Sequence, residues 1–122
     1  MALRGIRGAA VSLLVAAAGL VGCRSAPKLT AQQAAGKQVY DVGCARCHEE
    51  NDLHLKKTPP NLHGLFNQGA LPDGAPATDA EVEHLIMTGK GTMPSFAYQM
   101  SREQMAALLA YLHTGMRGET NP

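Results

Sequence analysis

The chain has 122 residues, with 11 Lys and Arg against 10 Asp and Glu and no Trp. A near-neutral balance without a basic stripe excludes the usual electrostatic footprint of a nucleic-acid-binding protein, and the length suits one domain but is thin for two cores. The only aromatic residues are Tyr40, Phe66, Phe96, Tyr98 and Tyr111, so the protein itself supplies few large apolar groups.

At the N-terminus, Arg4 and Arg7 precede an apolar run from Ala9 to Val21, a positive segment followed by a hydrophobic one as in a signal peptide. The run falls short of the roughly 20 apolar residues that a bilayer core demands. Leu20-Val21-Gly22-Cys23 resembles the lipobox of bacterial lipoproteins, in which cleavage precedes the Cys and its thiol receives a diacylglycerol. The alternative is ordinary signal cleavage, but its nearest site, Arg24-Ser25-Ala26, has Arg where a small side chain is wanted; the lipid anchor fits better. Removal of residues 1–22 from the 122 leaves 100, with nine Lys and Arg (eleven less Arg4 and Arg7) against ten Asp and Glu, a net charge of −1. Two or three acyl chains hold a protein stably on a membrane, so the mature chain is expected to be tethered through Cys23 and the short polar segment 24–28 rather than to span.

A helix is expected from Thr30, which forms a capping box with Gln33 and is followed by Ala35, Val39 and Val42 at i, i+4, i+7. It leads into Cys44-Ala45-Arg46-Cys47-His48, which matches the Cys-x-x-Cys-His pattern of covalent haem attachment. Two thiols three positions apart on a helical turn lie close enough to add across the two vinyl groups of one porphyrin. The next residue, His48, is carried under the iron as a neutral imidazole ligand. A Cys pair also occurs in thioredoxin-like and zinc sites; zinc requires further ligands, with no second Cys pair or His-x(3-5)-His set to supply them, and a thioredoxin site requires a βαβ context that these flanks lack. With Cys23 lipidated and Cys44 and Cys47 on haem, no thiol remains for a disulfide. A buried porphyrin would also make good the shortage of large apolar side chains.

Between His48 and Thr78, Pro59, Pro60, Pro72 and Pro76 break any long helix. A loop of this length is usually functional and is expected to wrap the cofactor, with a short helical piece near Asn61 to Phe66. A second helix begins at Thr78, boxed with Glu81, carries Val82, Leu85 and Ile86 on one face, and ends at Gly89. Met93 follows in Gly89-Lys90-Gly91-Thr92-Met93-Pro94, where glycines permit unusual backbone angles and Pro94 fixes φ directly after it. It is the preferred second iron ligand. Met87 and Met105 fit core filling, Met100 is core or exposed, and Met116 is near the tail. The competing ligands are His54, His63, His84 and His113; His54 lies in a polar loop, and His84 and His113 sit on helices beside solvent-type residues. The last helix starts at Ser101, boxed with Gln104, and places Met105, Leu108, Leu109 and Leu112 on one stripe until Gly115. No segment alternates at period two, so the fold is expected to be all-α, three main helices plus short helical turns around one haem.

Four separated motifs give the chain a resemblance to class I cytochromes c over residues 30–114. Gly36 with Tyr40 resembles the family's first-helix Gly-x-x-x-aromatic, and Leu108, Tyr111 and Leu112 match the partner surface on the last helix, where the Gly permits a close crossing. Thr58-Pro59-Pro60-Asn61-Leu62-His63-Gly64-Leu65-Phe66 is similar to the family's Pro-Asn-Leu-x-Gly segment, which implies that the Pro60 carbonyl accepts a hydrogen bond from His48 Nδ1. Gly91 to Pro94 matches the axial-Met loop, followed by Phe96. The absent Trp departs from members that place one near a propionate.

The resemblance implies a cytochrome c domain at 30–116, set after the leader (1–22) and lipidated tether (23–29) read from the N-terminal residues and before a tail at 117–122. It implies one haem c bound through Cys44 and Cys47, with His48 and Met93 on the iron and Pro60 behind His48. A thioether ligand raises the reduction potential relative to bis-His, and two filled axial positions leave no open site, so catalysis is not implied. The expected role is a lipid-anchored monomer on the periplasmic side of a bacterial membrane, passing single electrons between redox proteins, with no small-molecule substrate. The alternatives are a permanently bound haem subunit of a larger respiratory or dehydrogenase complex and a five-coordinate ligand-binding sensor. Arg46, Lys56, Lys57 and Lys90 are candidates to ring the haem edge and steer an acidic partner, although solvated surface charge is the commoner explanation.

Overall fold

The computed structural model describes residues 28–116; the expected leader, Cys23 and the segment 117–122 lie outside them. Four helices follow in order, α1 (Ala31–Gly43), α2 (Ala45–His48), α3 (Asp79–Thr88) and α4 (Arg102–Leu112), with a 3-10 turn at Leu65–Asn67. Among the described residues there is no strand, only isolated bridges at Ala70–Pro76 and Lys90–Met93. The fold is therefore all-α, with three main helices.

Local chemistry starts each main helix. Thr30 Oγ1 accepts from the Gln33 N–H at 3.2 Å while Gln33 Oε1 accepts from the Thr30 N–H at 2.9 Å, so two N-terminal donors are satisfied at once. Ser101 and Gln104 make the same reciprocal pair at 3.2 and 2.8 Å. At Thr78 only the N-cap half forms, its hydroxyl accepting from the Glu81 N–H at 3.3 Å. Asp79 and Glu81 then place negative charge in the first turn of α3, where the helix dipole favours it.

The core is the crossing of α1 over α4. Tyr40, Leu108 and Tyr111 are almost wholly buried, and the two tyrosine rings pack tilted, with centroids 5.6 Å apart, a favourable offset geometry. Met105, Leu108, Leu109 and Leu112 are all buried, as their spacing predicts; Val82 and Ile86 of α3 join them, and Leu65 and Leu71 enter from the long loop.

Further expectations are corrected. The stripe Ala35, Val39, Val42 is not the inner face of α1: Ala35 is exposed, Val39 half-buried and Val42 80 % exposed. The face turned to α4 is Gly36 and Tyr40, as the family resemblance implies, because a close crossing selects the small residue and the aromatic beside it over aliphatic bulk. The last helix ends at Leu112 rather than Gly115, and positive φ at Gly115 (71°) and Met116 (52°) turns the chain back. Met116, at the edge of the tail, is consequently core, 2 % exposed. The short helical piece of the long loop lies at Leu65–Asn67, toward the end of the expected segment.

Candidate functional site

Cys44 is the residue at which α1 ends and α2 begins. Its N–H donates to the Tyr40 carbonyl at 2.8 Å, while its own carbonyl accepts from the N–H groups of Cys47 (3.1 Å) and His48 (2.9 Å). One tight turn thus carries both thiols and the imidazole. Both cysteines are unpaired and half-buried. Burial first, and then the neighbouring Cys47, push the Cys44 thiol up to about 11. A raised thiol is the opposite of the depressed one that a thioredoxin-like nucleophile requires. Among the described residues, no three of His, Cys, Asp and Glu converge as a metal cage, which leaves the zinc alternative without its further donors.

His48 Nδ1 lies 2.7 Å from the Pro60 carbonyl oxygen. A carbonyl only accepts, so Nδ1 carries the proton and Nε2 of the neutral ring keeps its lone pair for a metal. Pro60 reaches this position because the loop after α2 turns back. Asp52 N–H donates to the Arg46 carbonyl at 2.8 Å, and the Asn51 side chain closes the bend by accepting from the Leu55 N–H at 3.0 Å. Asn51 and His54 occupy the left-handed region at 47° and 48°, which leaves His54 in an exposed turn.

Met93 sits in a closed turn. Lys90 N–H donates to the Met93 carbonyl at 3.1 Å and Met93 N–H to the Lys90 carbonyl at 3.0 Å. The turn is pinned to the end of α3 through Phe96 N–H on the Ile86 carbonyl (3.0 Å) and the Ser95 hydroxyl on the Met87 carbonyl. Gly89, with φ 72°, makes this possible: a Cβ there would stand 2.5 Å from the Met93 carbonyl oxygen. Met93 is half-buried against the same apolar cluster that Cys44, Leu62, Phe66, Phe96 and Met100 pack upon. Met105 is buried in the core and Met87 is partly buried against it, as their core-filling interpretation requires.

The competing histidines are placed elsewhere. His113 Nε2 is 2.6 Å from Asp79 Oδ1 and its ring stacks on Phe66 at 3.8 Å; His54 and His84 are exposed. His63 Nε2 lies 3.0 Å from Glu49 Oε1, the same oxygen that accepts from the Tyr40 hydroxyl at 2.6 Å. Burial, and then this bond to Glu49, hold the Tyr40 phenol above its ordinary value of 10.0. The group of Tyr40, Glu49 and His63 had no signal in the sequence, since its members are nine and fourteen positions apart. Of the four cations proposed for docking, Lys90 pairs with Asp73 and Arg46 faces Asp52 at 4.0 Å, while Lys56 and Lys57 are exposed.

The donor chemistry fits a covalently held haem: two thiols on one turn, an imidazole with its tautomer set by a carbonyl, and a thioether on a braced turn, beside partly buried apolar side chains. Fold and family agree that this is a class I c-type cytochrome. Residues 31–112 match the family model described as cytochrome c oxidase, cbb3-type, subunit III; this is more than half of the chain, which belongs to that family. Two curated relatives are named cytochrome c6. The one from Picosynechococcus is 28 % identical over 88 residues, covering 70 % of this chain and 75 % of the relative. The one from Tetradesmus obliquus is 28 % identical over 98 residues, covering 74 % and 98 %.

Proposed function

We propose that the protein is a membrane-anchored periplasmic electron carrier, moving one electron at a time between redox proteins through a single haem c. The observation that carries this most is the 2.7 Å contact from His48 Nδ1 to the Pro60 carbonyl, which sets the tautomer a proximal iron ligand requires and raises its basicity. In this assignment Cys44 and Cys47 would hold haem c through thioethers, His48 and Met93 would ligate its iron, and Pro60 orients His48. Bound there, haem c supplies a one-electron ferric/ferrous couple. The chain's own part is to hold both donors, His48 and Met93, in braced segments, so that little rearrangement would accompany a change of charge and both would occupy ligand places that a substrate would otherwise need. The protein thus acts as a carrier and not as an enzyme.

Membrane attachment rests on the Leu20-Val21-Gly22-Cys23 sequence. Among the described residues no helix is long and apolar enough to cross a membrane, and a lipid on Cys23 supplies the anchor in this proposal. Intact-mass analysis of the natively expressed protein tests the whole assignment together: one covalent haem, a diacylglyceryl group on Cys23 and loss of residues 1–22 are expected. A haem-free chain, or cleavage elsewhere with Cys23 unmodified, overturns the corresponding part.

The family description, which names a subunit of a cbb3-type oxidase, favours a second reading as a permanently bound haem subunit. The two separate on hydrodynamics. A cytochrome that runs alone in a detergent extract is a carrier; constant stoichiometry with a catalytic chain makes it a subunit.

A further inference from the structure

We infer that Glu49 and His63 form a latch that holds the loop after α2 in register, so that the Pro60 carbonyl stays on His48; both are positioning residues for the iron ligand. This rests on the proposed assignment of His48 to the iron. Two adjacent residues at the end of α2 each grip the same loop: His48 Nδ1 bonds the Pro60 carbonyl at 2.7 Å, and Glu49 Oε1 bonds His63 Nε2 at 3.0 Å. The loop between the two grips is short and stiff. Pro60 has a fixed φ, and the Asn61 side chain accepts from the His63 N–H at 2.8 Å, an Asx-type closure that joins the two halves of the segment.

The other end of the latch is anchored in the core. Tyr40 is 2 % exposed, packs on Tyr111, and donates its hydroxyl to the same Glu49 oxygen at 2.6 Å. A carboxylate on a rigid phenol is a fixed post, whereas one on a solvated helix end would swing. Since Glu49 only accepts, His63 Nε2 carries the proton, and a donor at that position is what the latch demands. The Glu49 and His63 side chains are 30 % and 35 % exposed, enough for His63 to be replaced without opening the core.

The consequence is electronic as well as mechanical. A firm Nδ1–H···O=C bond makes the imidazole a stronger donor at Nε2, which favours ferric iron. Freeing the loop at residue 63 lengthens that bond and raises the reduction potential.

The test uses the full-chain holoprotein and three substitutions: His63→Ala, His63→Asn, too short to reach Glu49, and His63→Gln, whose amide can donate to it. The readouts are midpoint potential by spectroelectrochemistry and solvent exchange of the His48 Nδ1 proton by NMR in the ferrous state. Ala and Asn are expected to raise the potential and accelerate exchange on the order of tenfold, as loss of about one hydrogen bond's net strength implies, while Gln keeps both near wild type. Unchanged potential and exchange in Ala and Asn, in a protein still showing a low-spin c-type spectrum, overturn the latch and leave the carrier proposal standing. A change that Gln fails to reverse also overturns it, because the effect would then not run through Glu49. Failure of the underlying assignment looks different: the wild type itself would carry no thioether-bound haem.

Discussion

Gly36 lies so close to Ala107 that a Cβ added to it would come within 1.9 Å of the Ala107 carbonyl oxygen and 2.8 Å of Tyr111 Cβ. The obstruction is mostly helix backbone, which cannot step aside as a flexible side chain can. Two effects oppose each other in Gly36→Ala. Helix propensity favours Ala by about 1 kcal/mol, while forcing two packed helices apart costs about 1–3 kcal/mol or more. The clash wins because separation of α1 from α4 also loosens Tyr40, Leu108 and Tyr111. Chemical denaturation is expected to show Gly36→Ala destabilised by roughly 1–2 kcal/mol, and a variant within about 0.5 kcal/mol of wild type, the range of an innocuous surface change, contradicts the crossing.

The Met93 turn gives a paired comparison. Gly89 and Gly91 both have positive φ, 72° and 59°, yet a Cβ at Gly89 meets the Met93 carbonyl, Pro94 and Ser95 within 2.8 Å, whereas nothing lies within 4 Å of one at Gly91. Gly91→Ala therefore carries only backbone strain of about 1–2 kcal/mol. Gly89→Ala must also move the turn bearing Met93. In the oxidised protein the methionine-to-iron charge-transfer band near the red edge of the spectrum is expected to persist in Gly91→Ala, weaken in Gly89→Ala and vanish in Met93→Ala. Persistence of the band in Met93→Ala removes Met93 from the iron.

What was legible in the sequence divides by range. The caps at Thr30, Thr78 and Ser101 involve partners three residues away, so a hydroxyl and a following amide donor were enough to find them. The buried stripe of α4 was legible because Met105, Leu108, Leu109 and Leu112 face one large neighbour. On α1 periodicity alone failed: a periodic count favours Ala35 and Val42, but the crossing distance, a property of two helices together, selects Gly36 and Tyr40, which only the family resemblance had singled out. Met116 was hidden for a related reason, since the reversal at Gly115 that returns it to the core is a backbone event with no apolar pattern. The His48–Pro60 bond was legible only through family resemblance, and the bond from Glu49 to His63 not at all.

The helix starts supply a graded test of the capping account. Ser101 and Thr30 make both halves of a capping box and Thr78 makes one half. Ser101→Ala is expected to cost about 1 kcal/mol by thermal or chemical unfolding. Gln104→Ala, which removes only the reciprocal bond, should cost less, and Glu81→Ala should show no capping loss. At high salt, where the favourable interaction of the Glu81 charge with the helix dipole is screened, equal costs at Gln104 and Glu81 contradict the distinction between a whole and a half box.

Tyr40 sets an alkaline limit on stability. Its phenol is held above the ordinary value of 10.0, chiefly by burial and then by the bond to Glu49, so the folded chain keeps the proton while an unfolded chain releases it. The sign follows: this contribution is complete below pH 10 and is lost as pH rises beyond it, by up to about 1.4 kcal/mol per pH unit for one group. Tyr40→Phe removes both the alkaline loss and the hydroxyl's bond to a carboxylate, a bond worth about 1.5–3 kcal/mol. The variant is therefore expected to be less stable than wild type at pH 8, with the gap closing above pH 10 because the other ionising groups act equally on both chains. Denaturant titrations between pH 8 and pH 11 measure this directly. Stability curves that run parallel across the range would mean that the Tyr40 hydroxyl ionises as freely in the fold as in water, which its burial between α1 and α4 opposes.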